Sequence, residues 1–560
     1  MNKIFSLRNI TVFLLIVTAL LLLFNLKQRR QYEVKAENWD KLMLILGQLD
    51  QNYVDSINHG KLTETIIPII LESLDPHSIY LPPQERQQAE DALDGDFDGI
   101  GIEFNVPNDT AIVVNVISGG PSDKAGLLSG DRIVKVGDKN VAGVKLNQDS
   151  LVKLLRGPSG TNVDVGIKRG GSPTLVPFKI KRGKIPVKSI DVAYMVDAER
   201  GYIKLSKFSR TSHKEFVQAV KDLKQQGMKE LIFDLRGNTG GYLDQALLLS
   251  NEFLKKGEMI VYMEGLHRSR EEFRADANGS CKDIDLKVLI DENSASSSEI
   301  FAGAIQDNDR GTIIGRRSFG KGLVQEPINF TDNSGIRLTV ARFYTPSGRS
   351  IQKPYSKDYR NDIAERYIHG EMMSADSIKV DSTLKYKTLS GRSVFGGGGI
   401  TPDIFVPLDT TGVNKYFIKI SNLALAFKFS SLVADEFRGE LKTIKNLEAL
   451  DLFYKKIGIE NRFLRYLESK GVKPLPGEWS QCREVAITQV EAYIGRYTQL
   501  EDRAFYPIIS RVDNVIKVAL KREKGVAMKG SLQSSLFLYL NPAAEPSRLY
   551  SLRTCSSDFS

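Results

Sequence analysis

Apolar residues return at helical spacing along the first hundred positions. Trp39, Leu42, Leu44, Ile45 and Leu49, then Ile66, Ile67, Ile69 and Ile70, predict helices over 33–92. Leu74-Asp75-Pro76-His77-Ser78 breaks the pattern, and Pro82-Pro83 opens a polar helix rich in Glu and Gln. From Phe97 the period shortens to two. Gly99-Ile100-Gly101-Ile102-Glu103-Phe104 and positions 111–117 predict strands, and short strands, Gly-rich turns and one helix continue to about Val187. Between Gly201 and Val406, apolar strands such as 230–235 and 287–290 alternate with helical stretches such as 243–254 and 297–305, the pattern of an α/β core. Gly396 to Gly399 forms a flexible loop. The chain after Thr411 reads as helical to about Lys524, and the Ser-rich end, with Pro542 and Pro546, reads as poorly ordered.

The N-terminus departs most from a soluble pattern. Lys3 and Arg8 precede an apolar stretch over 10–24, broken only by threonines, and Lys27, Arg29 and Arg30 follow it. A core of ~15–17 residues lies between a signal-peptide core and a full membrane span. No small-x-small cleavage site follows, so an uncleaved signal anchor over 1–30 is expected, with a cleaved signal peptide as the alternative. Positive charge on both flanks sets orientation only weakly. An anchor with its N-terminus inside would put everything after about residue 27 on the periplasmic or extracytoplasmic side of the cytoplasmic membrane.

Composition narrows the chemistry. The 560 residues are 41% hydrophobic and 26% charged, which excludes a mainly disordered, collagen-like or polytopic membrane chain. Cys281, Cys482 and Cys555 are too few and scattered for a disulfide framework or thiolate zinc site, and the five His include no H-x-x-x-H pair. Neither a thiolate nor a His-rich metal site is therefore expected, and an enzyme of this composition rests on Ser, Lys, Asp or Glu. The net charge is +9, of which +7 falls in 411–560, where 23 Lys and Arg meet 16 Asp and Glu. Without a longer run of consecutive bases, this is read as a solvated helical surface, and no nucleic-acid partner is expected.

Three motifs carry chemistry. In the first, Gly99, Ile100, Gly101 and Ile102 place two glycines in a strand-like run, where free amides can form a nest for a carboxylate. The segment continues with Gly119-Gly120-Pro121-Ser122, Ala125-Gly126-Leu127 and Gly130-Asp131-Arg132-Ile133. Over about 90 residues it resembles a PDZ domain, which implies capture of a peptide as an added strand with its C-terminal carboxylate in the 99–102 loop. In the second, Ser294-Ala295-Ser296-Ser297-Ser298-Glu299 stands between an apolar strand and a helix. A serine there is either a helix cap or a group beside free helix amides that can stabilise an oxyanion.

The third is Ser318-Phe319-Gly320-Lys321-Gly322-Leu323-Val324-Gln325. Gly315 to Lys321 fits the spacing of a phosphate-binding loop, but Gly322 replaces the Ser or Thr that would hold magnesium, and Pro327 opposes a helix there. A lysine whose pKa is lowered by burial can act as the base for a serine, and no His lies within about 25 residues of Ser296.

With these motifs side by side, the chain resembles the tail-specific, or C-terminal processing, serine peptidases. Lys321 lies 25 positions after Ser296, the family's spacing, which selects Ser296 from its neighbours; Ser297 stands where the family usually has Ala. Further matches span about 70–410: Leu74 to Tyr80, Asp234-Leu235-Arg236-Gly237-Asn238-Thr239-Gly240-Gly241, Tyr344 to Gln352, and Gly399 to Asp403. The resemblance implies a dyad of Ser296 and Lys321, with Gln325 orienting the lysine amine, and neither a metal nor an organic cofactor. It implies oxyanion donors from Gly240, Gly241 and the amide of Ser297. Asp307 matches a supporting position, with a helix-face carboxylate as the equal alternative, and His77 is expected to be structural.

The expected fold is multidomain α+β: a signal anchor (1–30), a helical region (31–95), a PDZ β-domain (96–187), an α/β catalytic core of the ClpP/crotonase-like type (188–411, with 70–95 contributing), a helical C-terminal extension (412–530) and a disordered tail (531–560). The expected function is a membrane-anchored serine endopeptidase acting on proteins with accessible C-termini. A catalytically silent PDZ scaffold of the cell envelope is the alternative. The helices at 33–92 and 412–524 can pair with a second copy or pack within the chain.

Overall fold

The computed structural model describes residues 17–18, 39–106, 109–117, 119–170, 172–355 and 359–521. The expected anchor, apart from Val17 and Thr18, and the expected tail lie outside the described residues. Among those described, no single helix is long and apolar enough to cross a membrane. One bent pair, Lys415–Asn422 with Leu425–Glu436, passes by length and composition, but Tyr416, Phe417, Ile420, Leu425 and Phe429 are buried in a helical core.

The chain divides after Leu74 into two units. Helices α1 (Trp39–Asn52) and α2 (His59–Glu72) belong to the first. Asn58 caps α2, its side chain accepting the Lys61 N–H at 2.9 Å. Trp39 and Met43 on α1 are 72% and 68% exposed, so this apolar stripe builds no core of its own.

In the second unit, six antiparallel strands form a small sheet, five of them in the order of the chain: β1 (Ile102–Asn105), β2 (Ala111–Val116), β3 (Arg132–Val136), β4 (Asn162–Lys168) and β5 (Val176–Lys181), with the two-residue strand Lys139–Asn140 paired to β3 alone. Helix α3 (Gln148–Leu155) closes its core with Leu151 and Leu155. The single strand expected over 99–104 is two strands. Asp96–Gly99 pairs with Gly183–Pro186, and the chain turns through left-handed Gly101 (φ 77°) before β1 begins. β1 is an edge strand with one neighbour, β2.

The main sheet has the order β6 (Ile190–Met195), β7 (Arg200–Leu205), β8 (Glu230–Asp234), β9 (Asp285–Ile290), β10 (Thr312–Gly315), β13 (Ile404–Phe405). Only the β6 and β7 pair is antiparallel. Strand alternation sends Leu231 and Phe233 of β8 to one face and Ile232 to the other, all fully buried. A parallel sheet must be covered on both faces. The first is covered by α4 (Ser212–Gln225), α5 (Leu243–Asn251) and α6 (Ser297–Asp307), whose Phe216, Leu249 and Phe301 enter one core. A second sheet is built around β12 (Gly335–Tyr344), which pairs with β11 (Leu323–Asn329), Ile79–Leu81 and Met259–Gly265.

The C-terminal extension is more than an appended bundle. Helices such as α7 (Leu425–Glu436) and α8 (Glu478–Gly495) share a core of their own. Phe427 of α7 packs on Ile112 and Val114 of β2, and Arg132 of β3 pairs with Asp435 at 2.7 Å. At its end, α9 (Asn514–Ala519) lays Val515, Ile516 and Ala519 on Val192, Tyr202, Ile232, Leu289 and Ile314, covering the second face of the main sheet. Ile516 is therefore a core residue of the sheet. Ile516→Ala is expected to cost about 2–4 kcal/mol in denaturant unfolding; a loss below about 0.5 kcal/mol, the scale of a surface change, would show that α9 does not close the core.

Candidate active site

The loops leaving the carboxyl ends of β8, β9 and β10 converge, where open α/β sheets form their crevice. The β8 loop is tied to the β9 loop: Gly237 N–H donates to Asp291 Oδ1 (2.9 Å), Ala295 N–H to the Asn238 carbonyl (3.0 Å) and the Ser294 hydroxyl to the Leu235 carbonyl (2.8 Å). The β9 loop meets the β10 loop where Phe319 N–H donates to the Ser294 carbonyl at 3.0 Å.

Ser296 sits at the strand-to-helix junction before α6, with φ 54° and ψ −113°. A non-glycine residue rarely takes this left-handed φ, and such strain lasts only where the surroundings hold it. Here the Ser296 N–H donates to Glu299 Oε2 at 2.9 Å, and its carbonyl accepts the N–H groups of Glu299 and Ile300 at 2.8 and 2.9 Å.

Glu299 is fully buried and joins two loops. Its Oε2 also accepts the Lys321 N–H at 2.9 Å, so the backbone nitrogens of Ser296 and Lys321, both on one oxygen, lie within 5.8 Å of each other. Oε1 accepts the Gly320 N–H at 2.8 Å and the Ser318 hydroxyl at 2.5 Å. Burial pushes the Glu299 carboxyl up, against the pull of these four bonds.

Lys321 Nζ donates to Gln325 Oε1 at 2.9 Å, and Gln325 Nε2 donates to the His77 carbonyl at 2.5 Å. Asp75 holds that carbonyl in place. Its carboxylate accepts the N–H groups of His77 and Ser78 (2.7 and 2.8 Å) and the Ser78 hydroxyl (2.6 Å). Burial lowers the Lys321 pKa below that of a free lysine, and the Arg337 cation lowers it further, while Asp75 and Glu299 act in the opposite sense. The amine is thus more easily deprotonated than in water. A second lysine, Lys353, is committed elsewhere: its ammonium pairs with Asp362 at 3.0 Å and lies 3.9 Å from the Phe319 ring centre. The His77 imidazole is hydrogen-bonded to the Tyr359 hydroxyl at 2.5 Å, and burial with the nearby Lys321 cation pushes its pKa down to about 4. A ring so placed is neutral at pH 7.

Close approach explains the paired glycines. A Cβ on Gly240 would stand 2.8 Å from Ser296 Cβ, and one on Gly241 would stand 2.1 Å from the Phe208 carbonyl oxygen. Their amides differ. Gly240 N–H already donates to Asn238 Oδ1 at 2.9 Å, which corrects its expected role as an oxyanion donor. The N–H groups of Gly241 and Ser297 find no acceptor among the described residues. The Ser297 hydroxyl donates to the Gly241 carbonyl at 2.9 Å, so it ties the donor-bearing loops together.

Asp307 is not beside Ser296. It ends α6, about 16 Å away along an 11-residue helix. There it forms a fully buried pair with Arg349 at 2.7 Å and accepts the Ser347 N–H at 3.1 Å. The structure thus corrects its expected supporting role to an anchor for the far end of the helix. In the small β-domain, the carbonyls of Ile100 and Gly101 accept the N–H groups of Ser122 (2.9 Å) and Ile117 (3.1 Å). The Ile100 and Gly101 amides find no acceptor among the described residues, next to the open edge of β1, where Ile102 and Phe104 are half-buried. Leu323 opens a strand after Lys321, so the helix a phosphate-binding loop needs is missing. Among the described residues, no group of three His, Cys, Asp or Glu suits a metal ion.

Sequence reasoning missed Glu299, Asp75, Asn238 and Arg337. Glu299 had a visible signal, the S-x-x-E spacing of a capping box from Ser296, but nothing local links it to Lys321.

A profile of Peptidase family S41 matches residues 199–361, and one of the PDZ domain matches residues 99–180. The carboxy-terminal-processing protease of Bartonella bacilliformis is 39% identical over 312 residues, covering 55% of this chain and 71% of that protein. The photosystem II D1 C-terminal processing protease aligns at TM-score 0.37 with 25% identity, over 66% of this chain and 87% of that one. The PDZ domain of the carboxy-terminal protease from Vibrio cholerae, solved with a peptide, aligns at TM-score 0.16 with 30% identity, over 16% of this chain and 99% of that one.

Replacing Glu299 by Gln keeps its shape but turns an amide NH2 toward two donors. The variant is expected to lose about 1–3 kcal/mol in thermal or denaturant unfolding. Unchanged stability would mean that the four bonds do not hold the site.

Proposed function

The chain belongs to peptidase family S41, the serine peptidases of C-terminal processing, and we propose that it cleaves proteins with a dyad of Ser296 and Lys321 after its PDZ domain has captured their C-terminus. The observation that carries this reading is the Glu299 carboxylate, bonded to the amides of both Ser296 and Lys321. Neutral Lys321 Nζ takes the proton of Ser296 Oγ as that oxygen bonds to the scissile carbonyl carbon. The oxyanion forms beside the N–H groups of Gly241 and Ser297, each donor worth ~2.7–4 kcal/mol in the transition state. The lysine then gives the proton to the leaving amine as the C–N bond breaks; water attacks the acyl-enzyme, losing its proton to Lys321 Nζ, which returns it to Ser296 Oγ as the ester C–O bond breaks. Gln325, fixed by the His77 carbonyl, keeps Nζ aimed.

In the PDZ domain, the free amides of Ile100 and Gly101 support capture of a terminal carboxylate, with the peptide adding to β1 as a strand. Gly99 ends the strand before these amides and Ile102 begins β1 after them, and an apolar last residue would meet the half-buried side chains of Ile102 and Phe104. The proposal extends to a ClpP/crotonase-like core, to the domain divisions at 30, 95, 187, 411 and 530, and to an anchor over 1–30 that puts the enzyme on the extracytoplasmic side of the cytoplasmic membrane. A peptidase rather than a silent scaffold is favoured because Ser296, Lys321 and Gln325 are all present and Lys321 is paired with Gln325.

Digestion of an unfolded protein with an apolar C-terminus tests the dyad. Ser296→Ala and Lys321→Ala are each expected to lower kcat by about 10³-fold or more, whereas Ser297→Ala, which keeps its amide, loses less than about tenfold. Cleavage undiminished in both Ser296→Ala and Lys321→Ala would sink the dyad. Amidating the substrate's C-terminus is expected to raise KM about tenfold, and an unchanged KM would remove the carboxylate-capture role.

The pH profile gives a second test. The base must be neutral, so kcat/KM rises with pH through the lowered Lys321 pKa. Removing the Arg337 cation raises that pKa. Arg337→Gln is therefore expected to move the rising limb to higher pH; a limb that stays or moves down would mean that Lys321 is not the base.

A further inference from the structure

The last described helix reaches the loop that carries Gly240 and Gly241. β8 ends at Asp234, whose side chain is 1% exposed, and the chain turns at once into Arg236. Asp234 accepts the Arg236 N–H at 2.9 Å, its Nε at 3.0 Å, its Nη2 at 2.7 Å and the Tyr202 hydroxyl at 2.7 Å. One guanidinium nitrogen remains. Nη1 goes to the two carboxylate oxygens of Asp513, at 2.8 and 3.1 Å.

Asp513 lies 277 positions downstream, in the C-terminal extension. It also caps α9, accepting the N–H groups of Val515 (2.9 Å) and Ile516 (3.1 Å). The other end of α9 is held as well. Lys287 Nζ donates to the Ala519 carbonyl at 2.6 Å, and the Arg200 guanidinium donates to the Leu520 carbonyl. A helix clasped at both ends, with its apolar side on the sheet, is a fixed strut.

The loop beyond Arg236 depends on where that residue stands. Its carbonyl accepts Lys204 Nζ at 2.9 Å, Gly237 N–H reaches Asp291, and the Asn238 side chain bridges the Leu205 carbonyl (2.9 Å) and the Gly240 N–H. Without Asp513, two part-buried cations, Arg236 and Lys204, would face one carboxylate, Asp234. Arg236 could then turn toward solvent and loosen the loop at its root.

We propose that Asp513 is a positioning residue for the peptidase reaction: through Arg236, the C-terminal extension holds the 235–241 loop where Gly241 N–H meets the oxyanion. This rests on the peptidase reading of that loop. It makes the extension part of the active site's support.

The test separates capping from the clasp. Asn or Ser at 513 can still cap α9 but has no charge to offer Arg236; Glu keeps the charge. Amide hydrogen exchange over 235–242 is measured together with kcat and KM on a short peptide with a free apolar C-terminus. Asp513→Asn and Asp513→Ser are expected to exchange about tenfold faster over that loop and to lose about tenfold in kcat, with KM within about twofold. Asp513→Glu is expected to restore both to within about threefold. Loop exchange in Asp513→Asn equal to wild type overturns the positioning role, whatever the protein cleaves. Exchange that quickens equally across the whole sheet overturns it too, because the effect is then one of general stability. A wild type without Ser296-dependent cleavage would remove the peptidase reading, and the exchange readout keeps that result distinct from failure of the clasp.

Discussion

A carboxylate sealed from water must be satisfied by donors inside the protein, and the penalty for missing one is large. Glu299 meets that demand with donors from two loops: the amide of Ser296 on its own side, and Ser318, Gly320 and Lys321 on the other. Neither loop can shift alone without leaving part of the carboxylate unsatisfied. The strained backbone of Ser296 is held against the segment that carries Lys321 by this one group. The left-handed φ of Ser296, costing on the order of 1–3 kcal/mol, is sustainable because the carboxylate fixes its N–H and the first turn of α6 fixes its carbonyl.

The lysine is prepared from a different direction. Its side chain is oriented by Gln325, which is held by a carbonyl that an Asp75 turn sets in place. Its charge is disfavoured by burial and by Arg337. Asp75 enters both controls, since it sets the orienting carbonyl and favours the lysine's charge, whereas Arg337 of β12 acts on the charge alone. In the loop after β8, Asn238 takes the Gly240 amide and leaves that of Gly241 with no acceptor among the described residues, so the paired glycines divide between supporting the loop and a free amide.

Much of this was legible in the sequence. The spacing of Ser296 and Lys321 survives folding because each stands next to a strand or helix boundary that local signals mark. The strands at 230–235 and 287–290 are visible because parallel strands are buried on both faces and read as apolar runs. Other assignments needed the structure. Asp307 closes the helix that Ser296 caps, yet a helix separates its two ends, and Arg349 claims the carboxylate. The two glycine amides look alike in sequence; only the side chain of Asn238 distinguishes them. The split of 99–104 into two strands follows from pairing of Asp96–Gly99 with Gly183–Pro186, a partner more than eighty residues away.

By itself, the sequence determined the local elements, the spacing of Ser296, Lys321 and Gln325, and the helical nature of the C-terminal extension, because propensity, periodicity and motif spacing act over a few residues at a time. The tertiary structure alone decided which amides remain free, which carboxylate joins the two loops, and where the extension belongs. The helical pattern after Thr411 carries no mark of its partners. Only in three dimensions do Phe427 meet β2, Asp513 meet Arg236 and Ile516 close the sheet, since a contact between distant residues depends on surfaces that do not exist until both have folded.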